Sequence, residues 1–180
     1  MTEKRITQYN FGHFRCASLG LALLLMLPMM ASSAVDRPNI LWITSEDNSP
    51  LLGCYGDPVA QTPVIDQLAG ESVRYSLAFS NAGVCSPARQ TLISGMYASS
   101  IGGQHMRSNA RYPDGVGFFP KFLRESGYYT TNNFKTDYNG HPANKEAAMQ
   151  AAWDDSSKNA HWRNRLEEQP FFAVFNIGNA

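Results

Sequence analysis

Four stretches of this chain have the length and residue pattern of β-strands. Residues 38–44 and 171–177 are continuous apolar runs bounded by proline and polar residues, which is typical of strands buried in a parallel sheet. Residues 73–79 alternate loosely between apolar and polar side chains, and residues 128–134 are rich in Tyr and Thr, which favour strands. The pattern therefore predicts four strands.

Helical patterns lie between these strands. One predicted helix has Thr62 as N-cap and Pro63 in its first turn, and another has Pro87 near its start and Gly95 as its stop. Two further helical segments are predicted, over residues 118–127 and, in two pieces, over residues 144–168. Strands that alternate with helices predict an α/β domain with a mainly parallel sheet.

Composition narrows the range of functions. The chain has 180 residues, which is enough for one domain with a core, and 43% of them are hydrophobic. The 15 basic and 15 acidic residues balance. This balance argues against a general nucleic-acid binder or a binder of acidic polymers.

The N-terminal residues differ from the rest. Basic residues precede an apolar run over 19–30, and small residues follow at 31–34. This order predicts a signal peptide over 1–34 and hence an exported protein, periplasmic or secreted. The apolar run is shorter than the roughly 20 residues of a membrane span, so we expect no stable membrane association after processing. An uncleaved anchor remains the alternative.

Cys85 stands one residue before the predicted start of a helix, where free backbone N–H groups and the helix dipole favour an anion or a nucleophile that becomes one. Arg89 follows one turn later and can reach the same spot. A disulfide between Cys85 and Cys54 is the structural alternative, since the expected compartment is oxidising.

Two carboxylates follow the first predicted strand directly. Glu46 and Asp47 come at its carboxyl end, where open α/β sheets hold their sites. Adjacent carboxylates repel one another, and hard oxygen ligands suit calcium or magnesium. A solvated acidic loop is the alternative.

Cys85, Pro87 and Arg89, in the spacing Cys-x-Pro-x-Arg and followed by Leu92-Ile93-Ser94-Gly95, resemble the signature of the type I sulfatases. Further motifs similar to that family are Gly53-Cys54-Tyr55-Gly56, Thr62-Pro63 with Leu68-Ala69, Gly127-Tyr128 and Pro170-Phe171-Phe172. The segments over residues 100–107 and 135–139 resemble those of the heparan N-sulfatase-like branch of bacterial sulfatases. The resemblance implies an alkaline-phosphatase-like sandwich, with helices flanking the central sheet.

The resemblance also implies an activity and a site. It implies that Cys85 is oxidised to formylglycine by a maturation enzyme, and that the hydrate of this aldehyde attacks the sulfate ester. The metal, Ca²⁺ or else Mg²⁺, would be bound by Glu46, Asp47 and the modified Cys85. Arg89 and Lys135 would bind the sulfate, and His105 would face the substrate from the rim. The implied substrate is a sulfated small molecule or glycan.

The sequence departs from the family pattern at two positions. Glu46 stands where an aspartate is usual, and its longer side chain makes its ligation less certain than that of Asp47. Asp137 stands two residues after Lys135, where a histidine is usual, and His141 is a substitute from further along the chain.

The resemblance runs over about 38–179, so we expect residues 35–180 to be the N-terminal portion of a sulfatase domain, truncated at its C-terminus. The second acidic pair of the family is absent from this sequence. We therefore expect weak or no hydrolysis from residues 1–180 by themselves. Two alternatives remain: a phosphate or phosphonate ester hydrolase of the alkaline phosphatase superfamily, and an inactive protein that only binds sulfated glycans.

Overall fold

A computed structural model describes residues 37–178, and the signal peptide predicted over 1–34 lies outside them. The strands and helices in chain order are β1 (Ile40–Ser45), α1 (Pro63–Gly70), α2 (Cys85–Ser94), α3 (Pro120–Glu125), β2 (Tyr129–Asn133), α4 (Lys145–Ala152), β3 (Asp155–Ser156) and β4 (Phe171–Ile177). Short 3₁₀ turns occur at Gly53–Tyr55, Ala98–Ile101 and Trp162–Asn164. Within the described residues, no helix is long and apolar enough to cross a membrane.

The four strands form one parallel sheet in the order β1-β4-β2-β3. The two apolar runs pair with each other, from Ile40 opposite Phe172 to Ser45 opposite Ile177. β4 is therefore covered by a strand on each side, which explains its near-continuous apolar sequence. The predicted α/β class with a parallel sheet is confirmed.

The core lies mainly on one face of the sheet. Phe172 is 2% exposed. The centre of its ring lies 6.2 Å from that of Trp42, 5.4 Å from that of Phe119 and 6.0 Å from that of Trp153. The opposite face of β4 is covered by Trp162, whose indole stacks on Phe171 at 5.4 Å. Alternate residues of one strand thus pack against different layers, as the twofold period of a strand requires.

The strand predicted over residues 73–79 is wrong. The segment is irregular and exposed, with Val73 at 81% and Phe79 at 88% exposure. A segment with alternating apolar residues forms a strand only if a neighbouring strand exchanges backbone hydrogen bonds with it, and no described strand pairs with this segment. The two-residue strand β3 is the sheet's fourth member instead.

The helical prediction over 144–168 is correct only for its first half. α4 ends at Ala152, and Asp155 then pairs with Thr131 of β2. After β3 the chain forms only a three-residue 3₁₀ turn, Trp162–Asn164. The turn sequence around Ser157 and Asn159 favours local side-chain to backbone bonds over helix, and Ser157 Oγ accepts from the Asn159 N–H at 3.2 Å.

Helix α2 agrees with the sequence interpretation in its main features. It begins at Cys85 itself, one residue earlier than expected, with Pro87 in its first turn. It ends at Gly95, whose φ of 69° is the left-handed conformation that favours glycine at a helix end. The carbonyl of Ile93 accepts from the Phe119 N–H at 2.9 Å, which connects α2 to the segment before α3.

Polar side chains cross the sheet near its carboxyl edge. Thr44 Oγ1 donates to Asn176 Oδ1 at 3.0 Å, and Asn176 Nδ2 donates to Asn132 Oδ1 at 3.0 Å. Asn132 Nδ2 in turn lies 3.1 Å from Ser156 Oγ. The chain of bonds visits all four strands, so it holds their carboxyl ends in register below the loops that follow.

We predict that Phe172→Ala lowers the free energy of unfolding by about 3–5 kcal/mol, because it leaves a cavity among three aromatic rings. Urea unfolding followed by fluorescence measures the change. Phe79→Ala is the matched control, since an exposed side chain contributes within about 0.5 kcal/mol. Equal losses for the two variants would contradict the assignment of Phe172 to the core.

Candidate active site

The loop after β2 approaches the end of β1. Lys135 follows β2 closely, and its ammonium group donates to Glu46 Oε1, directly beyond β1. Both side chains are partly buried, at 28% and 21% exposure. The Glu46 N–H also donates to the Ile177 carbonyl at 3.0 Å, so the glutamate backbone is fixed by β4. Sequence-predicted site residues from two strands therefore meet at the carboxyl edge of the sheet.

Helix α2 is held against this same loop. Arg89 Nε donates to the Thr136 carbonyl at 2.8 Å, and a second guanidinium nitrogen donates to the Lys135 carbonyl. Ser86 Oγ donates to Asp137 Oδ1 at 2.7 Å. Three successive loop residues are thus bonded to the first two turns of α2. Arg89 is directed at the loop backbone, and it serves there as a fixed positive charge.

Tyr138 closes the contact between the loop and α2. The Arg89 guanidinium carbon lies 5.7 Å from the centre of the Tyr138 ring, a cation–π distance. Burial raises the pKa of Tyr138 to about 12, although the nearby Arg89 charge acts in the lowering direction. The phenol therefore stays neutral at physiological pH.

Cys85 is half-buried at the first position of α2. The preceding Val84 offers no side-chain cap, so the first-turn N–H groups are not satisfied by a capping side chain and their positive dipole end adjoins the cysteine. Cys54 and Cys85 are both free thiols, and the disulfide alternative is therefore wrong for this structure.

Glu46 and Asp47 offer the oxygen ligands that a hard cation prefers, but two carboxylates are too few to complete its coordination. Asp47 is exposed and has a φ of 52°, in the left-handed region, so its backbone turns sharply after β1. Glu46 is engaged by Lys135. In the part of the chain that the structure describes, no group of three or more His, Cys, Asp or Glu side chains is arranged to bind a metal. Glu46 and Asp47 therefore provide part of a divalent-cation site.

The two histidines considered from sequence have different surroundings. His105 is exposed in the loop after α2, and its carbonyl accepts from Asn139 Nδ2 at 2.7 Å. His141 is half-buried, and its Nδ1 lies 2.9 Å from the Pro142 carbonyl. No contact joins either imidazole to Cys85, Lys135 or Glu46 among the recorded hydrogen bonds of residues 37–178.

Sequence reasoning missed the residues that hold this arrangement together. Ser86 occupies a variable position of the Cys-x-Pro-x-Arg motif and Asp137 stands where the family usually has histidine, yet the two form a hydrogen bond between α2 and the loop. The buried Asn139 amide contacts three backbone groups of the 103–108 loop. A serine in the first turn of a helix and an asparagine followed by glycine are common local signals, so neither pattern indicates a long-range partner.

Fold and site together define an α/β protein whose cationic side chains and helix N-terminus meet carboxylates at the carboxyl edge of a parallel sheet. The Sulfatase family model matches residues 38–175, and the chain belongs to the sulfatase family. It is 45% identical over 154 residues to the ulvan-active sulfatase of Formosa agariphila, which covers 79% of this chain and 25% of that protein. It is 32% identical over 124 residues to human iduronate 2-sulfatase, which covers 68% and 22%.

Solved structures show the same fold at low sequence identity. A protein solved with its substrate D-glucosamine-2-N,6-O-disulfate matches with a TM-score of 0.63 at 20% identity, over 78% of this chain and 34% of that one. The phosphonate monoester hydrolase of Agrobacterium radiobacter matches with a TM-score of 0.52 at 23% identity, over 77% and 26%. The family resemblance and the alkaline-phosphatase-like fold are confirmed. The chain spans about a quarter of the length of the curated relatives named here.

We predict that Ser86→Ala lowers the free energy of unfolding by about 1–2 kcal/mol, because it removes a buried hydrogen bond to a carboxylate. Asp137→Asn keeps an acceptor and should cost less. Urea unfolding measures both variants, and Ser99→Ala, at an exposed position, is the matched control. A Ser86→Ala variant as stable as this control would show that the bond contributes nothing.

We predict that Tyr138 makes the folded protein sensitive to alkaline pH. An unfolded tyrosine ionises near pH 10, whereas the folded pKa is about 12, so the stabilising contribution is complete below pH 10 and is lost as pH rises toward 12. The free energy of unfolding should fall by roughly 2–3 kcal/mol from this residue over that window.

Tyr138→Phe should reduce the decrease in the free energy of unfolding between pH 10 and pH 12. Tyr97→Phe, at an exposed position, should leave that decrease unchanged. Denaturant unfolding at several pH values between 8 and 12 measures the slope. Identical slopes for the wild-type chain and Tyr138→Phe would contradict the buried, neutral phenol.

Proposed function

We propose that this protein is a sulfuric ester hydrolase that acts on sulfated carbohydrates and uses Cys85, converted to formylglycine, as its nucleophile. The observation that supports this proposal most is the set of hydrogen bonds between α2 and the loop after β2, which contains Lys135. Through Ser86 and Arg89, these bonds hold the helix that begins at Cys85 beside a lysine that follows β2 and a carboxylate that follows β1, the two strands on either side of β4.

The fixed cations suit the charge of the substrate. A sulfate ester is an anion and resists attack by another anion, so the site must supply positive charge before the reaction begins. Arg89 is bonded to neutral carbonyls and keeps its full charge, while Lys135 is balanced by one carboxylate. Arg89 is already fixed before charge develops in the transition state, which is the condition for electrostatic catalysis, whereas Lys135 would be shared between the sulfate and Glu46.

The proposed modification supplies chemistry that a thiol lacks. A cysteine that attacked sulfur directly would leave an adduct with no easy exit. The hydrated aldehyde has two hydroxyl groups. One would attack sulfur as the bond from sulfur to the sugar oxygen breaks, and the sugar would leave as a protonated alcohol. The other would then lose its proton as the bond from carbon to the sulfate oxygen breaks, which releases sulfate and restores the aldehyde, and water would rehydrate it. A formylglycine-generating or equivalent maturation enzyme is therefore a required partner.

The proposed metal is Ca²⁺, with Mg²⁺ as the alternative. Asp47, Glu46 and the modified Cys85 would hold it, and it would polarise the sulfate oxygens. In this arrangement the Lys135 ammonium group, which donates to Glu46 Oε1, orients that carboxylate at the carboxyl edge of the sheet. His105 is proposed as a substrate contact at the rim of the site.

The proposed substrate class draws on the relatives. The similar proteins include an ulvan-active sulfatase, an iduronate 2-sulfatase and a protein solved with a disulfated glucosamine. All three names refer to sulfated sugars, so we propose a sulfated glycan for this chain. We also propose export to the periplasm or the medium, and that residues 35–180 form the nucleophile-bearing portion of the catalytic domain.

We predict that co-expression with a formylglycine-generating enzyme lowers the mass of the peptide containing Cys85 by about 18 units, as sulfhydryl becomes aldehyde. Mass spectrometry of the tryptic peptide measures this change. The Cys54 peptide is the internal control and should keep its mass.

Hydrolysis of 4-nitrophenyl sulfate, which we expect to be weak from residues 1–180 by themselves, should then depend on the same residue wherever its rate exceeds the background. Cys85→Ala should reduce the rate at least about a thousandfold, whereas Cys54→Ala should leave it unchanged. An unmodified thiol with unchanged hydrolysis would contradict the proposal.

A phosphonate or phosphate ester hydrolase remains a second candidate, because the phosphonate monoester hydrolase shares the fold. Side-by-side rates on 4-nitrophenyl sulfate and 4-nitrophenyl phenylphosphonate separate the two candidates. Faster phosphonate cleavage would favour the second candidate.

A further inference from the structure

A second pocket lies beside the candidate active site. It is open to solvent, has a volume of about 530 Å³ that includes its mouth, and is lined in part by Ser86, Thr136 and Asp137. Ser86 and Thr136 are the chain neighbours of Cys85 and Lys135, and neither Cys85 nor Lys135 itself lines the pocket. The pocket therefore adjoins the proposed reaction centre and is separate from it.

The lining of the pocket also includes two cations, Arg107 and Lys145, together with His141. Asp137 is the one acidic residue among the lining side chains. Asp137 already accepts from Ser86 Oγ at 2.7 Å and lies 3.7 Å from Arg107 Nε. Its negative charge is thus largely engaged, which leaves the pocket with a surplus of positive charge.

Lys145 occupies a position in the fold that is unfavourable for a positive charge. It is the first residue of α4, where the helix dipole disfavours a positive charge. Asn144 already caps this helix by accepting from the Ala147 N–H at 3.0 Å. Within residues 37–178, no salt bridge involves Lys145. An anion in the pocket would offset the unfavourable position of this side chain.

The walls of the pocket are fixed by backbone bonds. The His141 N–H donates to the Ala110 carbonyl at 3.0 Å, and the Tyr112 N–H donates to the His141 carbonyl at 2.8 Å. Gly140 has a φ of 66°, and an added Cβ would lie 2.5 Å from the Ala110 carbonyl oxygen, so the two segments approach closely. Asn139 holds the segment that carries Arg107.

His141 adds a group suited to a sugar hydroxyl. Its Nδ1 lies 2.9 Å from the Pro142 carbonyl, a contact that requires Nδ1 to donate. In the neutral imidazole, Nε2 is then an acceptor. The pocket thus combines two cations with an acceptor for an O–H group.

We propose that this pocket binds a second anionic group of the carbohydrate, a carboxylate or a second sulfate, through Lys145 and Arg107, while the reacting sulfate ester faces Cys85. The inference rests on the proposed function for the identity of the ligand. It goes beyond that function because it assigns a specificity site to residues with no part in the chemical step.

The test measures equilibrium binding by calorimetry in the Cys85→Ala background, which prevents turnover. The probes are a disaccharide with one sulfate ester and one uronate carboxylate, a disaccharide with two sulfate esters and no carboxylate, and 4-nitrophenyl sulfate. Lys145→Gln and Arg107→Gln should each weaken binding of at least one disaccharide about three- to tenfold, since both cations are partly solvated. Binding of 4-nitrophenyl sulfate should stay within twofold.

Lys121→Gln is the matched control, because Lys121 is an exposed lysine that does not line the pocket. Loss for the uronate probe alone identifies a carboxylate site, and loss for the disulfated probe alone identifies a sulfate site. Unchanged affinities in both pocket variants, an equal loss for all three probes, or no binding of either disaccharide would overturn the inference.

The two proposals fail separately. An unmodified Cys85 and no hydrolysis of any sulfate ester would end the proposed function, while a selective Lys145 effect on disaccharide binding would still support the pocket. Hydrolysis that depends on Cys85, with disaccharide binding insensitive to Lys145 and Arg107, would retain the function and reject the pocket.

Discussion

The bonds from Arg89 to two successive carbonyls are the contact on which the candidate site depends. A loop that leaves the end of a parallel strand has backbone groups without ladder partners, and the planar guanidinium satisfies those of Lys135 and Thr136 together. Since Arg89 lies one turn after Cys85, the same contact sets the position of the helix N-terminus relative to β2. A lysine at this position could not replace the contact, because its single ammonium nitrogen lacks the two planar, spaced donors of a guanidinium group.

Asp137 forms a further contact between the loop and α2, and it does so in an unfavourable backbone conformation. Its φ of 38° is uncommon for a residue other than glycine, and aspartate tolerates it better than most residues. The hydrogen bond from the buried Ser86 hydroxyl offsets part of this cost and holds the turn in place. The turn directs the loop from the proposed reaction centre toward the pocket lined by Lys145, so one short segment shapes both.

Charge at this edge of the sheet is balanced by contacts between distant parts of the chain. Lys135 pairs with Glu46 across 89 positions, and Arg107 lies near Asp137. An incoming sulfate ester would share Lys135 with Glu46. The exchange has a modest cost because neither side chain is fully buried and water screens the pair. Arg89 forms no salt bridge with any carboxylate between residues 37 and 178, which makes it the more constant source of positive potential.

The sequence alone determined the class of fold, the two apolar strands, helix α2 from its proline to Gly95, and the family, because those features depend on local patterns and short motifs. It did not determine which strands pair. Residues 73–79 alternate loosely and pair with no described strand, whereas Asp155 and Ser156 join the sheet with no strand-like run. Nor did it indicate that Ser86 meets Asp137 or that Lys145 and Arg107 line the same pocket. Those partnerships join residues far apart in the chain, and only the packing of α2, α4 and the loop after β2 brings them together.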